Sequence, residues 1–391
     1  MIRLITVCFL LISFSSFGQS STHKRGAIRE INFTETGYKL GVQHGKLLKK
    51  EIGELVSLMK ANTAKALGKD ADVAISEFTQ YAKFTDAIKT YTPELYEEVK
   101  GIADGSEQAL SDIMVFNLLD EFWVYQNNLA NHHCSGLGVP ATKGSPAYIA
   151  QNMDIESYTD GYQILIHLSR TNTRPEQFIL THPGLIALNG MNENGIGACM
   201  NTLMQLNAAT TGLPVAFIVR RILNSTDKNE LLNFIQTVPH ASGQNYIVGI
   251  KEEVFDFEAS ANKVVRFNPN NANGTIYHTN HPLANNDVKE WFKKDDPTLA
   301  VKPRENNSAI RLIAVKDRIA GNIAVDDVLI KETLRSKDDP NNPVCRAPKN
   351  GGITFGSVIM TLSGKPFLQI TAGPPDESEY KRFDFTGNTN R

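Results

Sequence analysis

Cysteine is scarce in this chain: four residues in 391, at positions 8, 134, 199 and 345, with no C-x-x-C pair among them. So few and so scattered, they exclude a disulfide scaffold and supply neither a zinc knuckle nor a redox dithiol. An excess of charge of one sign is missing too. Forty Lys+Arg stand against 42 Asp+Glu, so no basic surplus argues for nucleic acid and no acidic surplus for a disordered chain. Internal repeats and low-complexity tracts are absent. The apolar run Leu4 to Phe17 is too short to span a bilayer. It follows Met1-Ile2-Arg3 and ends in Ser16-Phe17-Gly18-Gln19, with small residues at both positions a signal peptidase reads. The expectation is a leader of residues 1–18 and an exported protein, periplasmic or secreted, with no stable membrane span. Loss of Cys8 leaves three thiols, of which at least one is unpaired in an oxidising compartment.

What is present changes character near residue 130. From Glu35 to about Gln126 apolar residues recur at three- and four-residue steps, as in Tyr38 to Leu48 and Glu54 to Met59, which predicts helix after helix. Thr92-Pro93 opens a further helix with Glu94, Glu97 and Glu98 near its positive end. Beyond Cys134 the chain breaks into short β-type runs between turn residues, from Ala147–Met153 to the pair Ser357–Leu362 and Phe367–Thr371 around Ser363-Gly364. Two helical stretches interrupt them, Pro214 to Val238, split at Asn224-Ser225-Thr226, and Ser308 to about Arg335. The pattern predicts an α+β fold with largely antiparallel pairing, not a doubly wound sheet.

Cys134 lies at the junction, in Asn131-His132-His133-Cys134-Ser135-Gly136-Leu137-Gly138. By itself it reads as a small hydrophobe opening the first strand. Its company is more informative: Asn152-Met153-Asp154, then Gly190-Met191-Asn192-Glu193-Asn194-Gly195 leading to Cys199-Met200-Asn201, then Ala241-Ser242-Gly243-Gln244-Asn245, His278-Thr279-Asn280-His281-Pro282 and Asn307-Ser308-Ala309-Ile310-Arg311. In this order the chain from Cys134 to Arg311 resembles the N-terminal-nucleophile hydrolases. It looks most like the acyl-coenzyme A:6-aminopenicillanate acyltransferase branch (peptidase family C45), with the choloylglycine hydrolases more distant. The front end, with Gly41-x-x-His44-Gly45 and Gly101-Ile102-Ala103-Asp104-Gly105, also resembles that branch.

The resemblance implies a four-layer αββα sandwich with an N-terminal helical pro-segment: residues 19–133 as the small chain and 134–391 as the catalytic chain, separated by self-cleavage of the His133–Cys134 bond. It implies an amidohydrolase or acyltransferase that cleaves a linear amide, an N-acyl amino acid or peptide-like compound, through a thioester. The chemistry is self-contained, because a cysteine at a chain terminus carries an amine of pKa near 8 beside a thiol near 8.5 and so brings its own base. Cys134 becomes the nucleophile, Asp154 the carboxylate that holds it and its amine, Asn280 the oxyanion donor, Asn201 a neighbour of the amine and oxyanion, and Arg311 an electrostatic support. The partners implied are a small-molecule amide and the cleaved pro-segment, with no nucleic acid, cofactor or metal. One departure stands out: bile-salt hydrolases carry an arginine three residues before the aspartate, where this chain has Gln151, which favours the acyltransferase branch.

The residues alone leave other readings open. Asp154 suits a turn and Asn192 and Asn201, beside glycines, suit left-handed turn positions; Arg311 suits a surface pair. Cys199 reads as core, Cys345 as an exposed loop thiol or a disulfide partner, and His44, His167 and His182 as packed or surface histidines. Leu137, Tyr158, Tyr162, Leu185 and Met204 suit either an acyl pocket or the core. A papain-like pairing of Cys134 with His240, His278 or His281 is the competing enzyme, although the local signature around such a cysteine is absent. His132-His133 and His278-x-x-His281 lack the H-E-x-x-H spacing a metal hydrolase uses. A binding protein that has lost catalysis on the same scaffold is the non-enzymatic alternative.

Overall fold

The computed structural model describes residues 28–126, 133–295, 307–322, 324–348 and 351–388; the expected leader lies outside them. The front segment departs from the all-helical expectation at its first element. Strand β1 (Arg29–Phe33) precedes α1 (Gly37–Leu47), α2 (Lys49–Leu67), α3 (Ala71–Tyr81), α4 (Thr85–Tyr91), α5 (Pro93–Ser106), α6 (Leu110–Phe116) and α7 (Leu119–Tyr125). Five residues with only Ile31 and Phe33 turned inward are too few to declare a period, and β1 is held by parallel pairing with a strand from beyond residue 133.

Helices α1 and α5 cross where the two glycine motifs meet. A Cβ on Gly41 would lie 2.0 Å from the Glu98 carbonyl oxygen, and one on Gly101 2.2 Å from that of Tyr38, so only glycine permits this approach. His44, from the same motif, is buried and accepts a hydrogen bond at Nε2 from the Gly184 backbone N–H at 2.9 Å. Burial lowers its pKa to about 3, so the ring stays neutral. The motif is therefore a helix crossing and an anchor.

Past Cys134 the order is β2 (Ser135–Val139), β3 (Tyr148–Glu156), β4 (Ile164–Leu168), β5 (Gln177–Thr181), β6 (Asn189–Asn192), β7 (Ile196–Thr202), α8 (Val215–Leu223), α9 (Lys228–Thr237), β8 (Gln244–Ile250), β9 (Glu253–Ala259), β10 (Val264–Phe267), β11 (Ile276–His278), α10 (Glu290–Asp295), α11 (Asn307–Ile319), α12 (Asp327–Leu334), β12 (Gly352–Thr361), β13 (Phe367–Ile370) and β14 (Lys381–Asp384). One sheet runs β1-β4-β5-β6-β7-β8-β9-β10 and the other β11-β2-β3-β12-β13-β14. β2 and β3 pack on β7 and β8, so the sheets lie face to face; α8 covers β6 and β7 on one outer side, and α11 and α12 cover β2, β11, β3 and β12 on the other. The fold is thus α+β, two sheets between helical layers. Among the described residues no helix is long and apolar enough to cross a membrane.

Local signals account for the helices of this part. Asp227 caps α9 by accepting hydrogen bonds from the Asn229 and Glu230 backbone N–H groups, while Glu230 reaches back to the Thr226 N–H. The helix expected from Ser308 to Arg335 is two helices instead. Asp326 starts the second by capping the Leu329 N–H at 2.9 Å, a cap hidden in a sequence whose apolar steps continue across the gap.

The segment before Cys134 and the part after it share one core. Arg220 of α8 donates to both carboxylate oxygens of Glu98 on α5, at 2.7 and 2.9 Å, with both side chains 2% exposed. Removing either partner of such a buried pair costs about 3–5 kcal/mol.

Candidate functional site

Strand register assembles the site. β2 pairs with β3 antiparallel, Ser135 opposite Asn152, and with β11 on its other side, Gly136 opposite His278. Continued past the start of β2, these registers set Cys134 between Met153 and Asn280. β3 pairs with β12, Asp154 opposite Thr354. Strand β3 is buried along its whole length although it carries Gln151, Asn152, Asp154 and Glu156, and buried polar groups need partners.

Cys134 is 2% exposed, and its Sγ lies 3.6 Å from Met153 Sδ and 3.7 Å from the Asp154 carbonyl oxygen. Burial, helped by the Asp154 charge, pushes its pKa up to about 12, so the thiol is neutral. Asp154 accepts a hydrogen bond at Oδ1 from the Thr354 hydroxyl at 2.7 Å, while its Oδ2 is buried with no partner among the described residues. Burial raises this carboxyl to about 7, against the pull of Thr354, Arg311 and Arg346. The turn reading of Asp154 is thereby set aside: it sits mid-strand.

Arg311, on α11, is buried rather than on the surface. Nη1 donates to the Cys134 carbonyl oxygen at 2.7 Å and to Ser135 Oγ at 2.9 Å, Nη2 to Asn280 Oδ1 at 3.0 Å, and Nε to Asn307 Oδ1 at 2.8 Å. Burial lowers its pKa to about 10, which leaves it charged at neutral pH. Asn280 is in turn held through its backbone N–H by Ser308 Oγ at 2.7 Å, and one hydrogen of its Nδ2 goes to the Thr202 carbonyl oxygen at 3.2 Å. Cys134, Asp154, Asn280 and Arg311 therefore converge.

Asn201 belongs to the facing sheet. Its Nδ2 reaches the His278 carbonyl oxygen at 3.5 Å, its Oδ1 is buried without a partner among the described residues, and a Cβ on Gly136 would come within 3.2 Å of that oxygen. It adjoins β2, the strand that Cys134 leads into, and is no turn residue. Asn192, in contrast, clamps a turn, donating to the Leu223 and Ser225 carbonyls and accepting from the Asn194 and Ile196 N–H groups. Gln151 bridges the sheets: it donates to the Met200 carbonyl and accepts from Asn189 Nδ2.

None of the three histidines considered as a base is hydrogen-bonded to the Cys134 thiol. His278 is held between Glu258 Oε1 and the Thr279 carbonyl, both at 2.8 Å; His281 meets Ser308 Oγ at 2.7 Å and His240 the Ile235 carbonyl at 2.9 Å. Cys199 is buried in β7, as expected of core. Cys345 corrects the expectation of an exposed or paired thiol: it is free and buried, its Sγ 2.8 Å from Asp376 Oδ1. Pro343 and Arg346 suggested a loop, which it is, but one folded under β12.

Of the five apolar residues considered for an acyl pocket, Leu185 lines an apolar cavity of about 40 Å³ between the front helices and the core, together with Phe116, Leu119, Ile155, Leu188 and Met200. Asp120 also borders it, close enough for its charge to help raise the Cys134 thiol. Leu137 belongs to the core under α11 and α12, and Tyr162 donates to Glu54 of α2. Thr354, Ser308 and Asp120 are site residues the sequence alone did not single out. Ser308 stood within a motif and was legible; Thr354 and Asp120 reach the site only through pairing and packing.

A sequence profile of the acyl-coenzyme A:6-aminopenicillanic acid acyltransferase family matches residues 141–358. The 40 kDa form of acyl-coenzyme A:6-aminopenicillanic-acid acyltransferase from Emericella nidulans is 28% identical over 251 residues, which is 64% of this chain and 68% of that protein. Among solved structures, a mutant conjugated bile acid hydrolase from Clostridium perfringens aligns at 15% identity and a TM-score of 0.38 over 64% of this chain and 97% of its own. A penicillin V acylase from Agrobacterium tumefaciens aligns at 12% and 0.40 over 65% and 86%. With more than half of its length inside the family profile, the chain belongs to the acyl-coenzyme A:6-aminopenicillanic acid acyltransferase family.

Proposed function

We propose that this protein is a self-processing cysteine amidohydrolase of the N-terminal-nucleophile kind. It cuts its own His133–Cys134 bond and then cleaves a linear amide, an N-acyl amino acid or peptide-like compound, through a thioester on Cys134. The observation that carries this reading is the buried Asp154 carboxylate, whose Oδ2 lacks a donor while its charge acts on the Cys134 thiol. An unpaired buried carboxylate oxygen is costly, and an amine freed at Cys134 supplies the missing donor.

The freed amine, with an ordinary pKa near 8, takes the thiol proton as sulfur attacks the substrate carbonyl. The resulting oxyanion is stabilised by the second hydrogen of Asn280 Nδ2; one such donor is worth about 2.7–4 kcal/mol. Collapse expels the substrate amine, which leaves with the proton, and water then cleaves the thioester. An acceptor amine in place of water gives acyl transfer, the activity in the name of the Emericella relative. No step needs a metal or cofactor.

In this reading residues 1–18 are a removed leader, the protein is exported to the periplasm or medium, and 19–133 stay bound to 134–391 after the cut. The buried Glu98–Arg220 pair supports retention. Intact-mass and gel analysis of the purified protein tests the proposal. Two chains divided at Cys134 are expected, with Cys134→Ala uncut and Cys199→Ala cut; a single full-length chain whose thiols ignore an alkylating probe overturns it.

A further inference from the structure

Strand β11 ends at His278, and Asn280 stands just beyond it, on the turn that leads through Pro282 to Leu283. Ser308 and Arg311 hold Asn280 itself. The two ends of the turn are held from elsewhere. Glu258, on β9 and fully buried, accepts at Oε1 from His278 Nε2 at 2.8 Å and from the Leu283 backbone N–H at 2.6 Å. At Oε2 it accepts from the Ala284 and Asn285 N–H groups at 3.0 and 2.6 Å. Asn285 returns to the same residue, its Nδ2 donating to the Glu258 carbonyl oxygen at 3.0 Å. One carboxylate thus ties the entry of the turn to its exit.

Burial works to raise the pKa of Glu258, but His278 and the Asn285 and Leu283 N–H groups outweigh it and hold the carboxyl below its ordinary value, so the clamp is charged at neutral pH. A buried charge of this kind is a poor way to gain stability. What it does supply is geometry, because three successive backbone N–H groups and an imidazole converging on one anion leave the turn a single position. The clamp also reaches the facing sheet: the carbonyl of His278 receives Asn201 Nδ2 at 3.5 Å, and His278 lies opposite Gly136 of β2. A donor that must meet an oxyanion needs such fixing, since its worth depends on standing in place before the charge appears.

We infer that Glu258 is a positioning residue for the reaction on Cys134: by closing the turn at both ends it keeps Asn280 Nδ2 where the oxyanion forms. The inference rests on the amidohydrolase reading above. It is tested on the cleaved enzyme with two reagents for the same sulfur, peptide mapping assigning both products to Cys134. In acylation by p-nitrophenyl acetate, decanoate or phenylacetate, sulfur adds to the carbonyl, an oxyanion forms and p-nitrophenolate leaves. In alkylation by iodoacetamide, sulfur displaces iodide and no oxyanion arises. The readout is the ratio of the two rates, which a general disturbance of the nucleophile leaves unchanged because both rates fall together. In Glu258→Gln, which lacks the charge, the ratio should fall about tenfold, with alkylation within about twofold of the wild type; in Glu258→Asp, which keeps the charge on a shorter arm, it should fall about threefold. An unchanged ratio in Glu258→Gln, or in Glu258→Asp where only that variant yields cleaved enzyme, overturns the inference alone, as does an equal fall in both rates. An uncut wild-type chain, or no acylation of Cys134 by any of the three esters, overturns the amidohydrolase reading and the inference with it.

Discussion

The hydroxyl of Thr202, on β7, donates to the Asp120 carboxylate of α7 at 2.7 Å, and the carbonyl of the same Thr202 receives Asn280 Nδ2 at 3.2 Å. Gln244 donates to the same Asp120 oxygen at 3.0 Å, and the neighbouring Glu121 accepts from the Ser242 hydroxyl at 2.7 Å and the Val215 N–H at 3.1 Å. Two buried carboxylates of the front segment thus enter the half beyond Cys134, and one stands a single residue from the proposed oxyanion donor.

Asp120→Asn tests that link. The amide keeps an acceptor for Thr202 but lacks the charge, so Thr202, and Asn280 upon it, are held less firmly. Turnover should fall about tenfold, the equivalent of about 1.4 kcal/mol in the barrier, while the small chain still co-elutes with the large one. Wild-type kcat in a variant that retains both chains would show that Asp120 only packs.

Thr354→Val addresses the titration of Asp154. Burial raises this carboxyl to about 7 and the Thr354 hydrogen bond opposes the rise, so loss of the hydroxyl lifts it further and less of the group is ionised at a given pH. The acid limb of the self-cleavage rate should move to higher pH by about one unit. The linkage to stability has the same root. A folded pKa above the unfolded value makes the folded state the stronger proton binder, so this residue's contribution is full below about pH 4 and lost as pH rises through about 7. Urea melts at pH 5 and 8 should differ less in Asp154→Asn than in the wild type.

How much of this was legible in the sequence follows from the range of the interactions. Cys134, Asp154, Asn280 and Arg311 stand in an ordered set of short motifs, and the structure brings them together because two strand registers fix the spacing of the first three and α11 lays Arg311 over β2 and β11. Asp227 announces a helix start through bonds made within a few residues, and Pro93 through the backbone angle its ring fixes in the first turn. Thr354 meets Asp154 across |i−j| = 200 and Asp120 meets Thr202 across 82; nothing local marks them. Strand β1 fails for the opposite reason, being five residues whose only reason to be extended is a distant partner.

Gly41→Ala probes whether the front segment is clamped by the helix crossing. The added methyl group would stand 2.0 Å from the Glu98 carbonyl oxygen, a backbone atom that cannot swing aside. Helices α1 and α5 must separate, which loosens Glu98 against Arg220. A loss of about 2–3 kcal/mol is expected, as for overpacking of a close-fitting core, read as a lower denaturation midpoint with an unchanged m-value. Gly53→Ala, where the nearest atom is the Gln108 side-chain nitrogen at 3.5 Å, serves as the control and should lose less than about 0.5 kcal/mol.

Arg311→Lys separates charge from geometry. The guanidinium touches four acceptors at once, and its bond to Asn280 Oδ1 turns that side chain so that Nδ2, not the oxygen, is presented to the site. Lysine keeps the charge but issues its donors from one point and cannot span the fork. If Asn280 turns over, an oxygen replaces the donor where the oxyanion forms. The expected result is a kcat lower by about 10²–10³-fold, the worth of one oxyanion donor, with KM changed little. Asn280→Ala in the Arg311→Lys background should then cost little more, because both changes remove the same donor; a full additional loss in the double variant would mean that Arg311 acts on Cys134 directly rather than through Asn280.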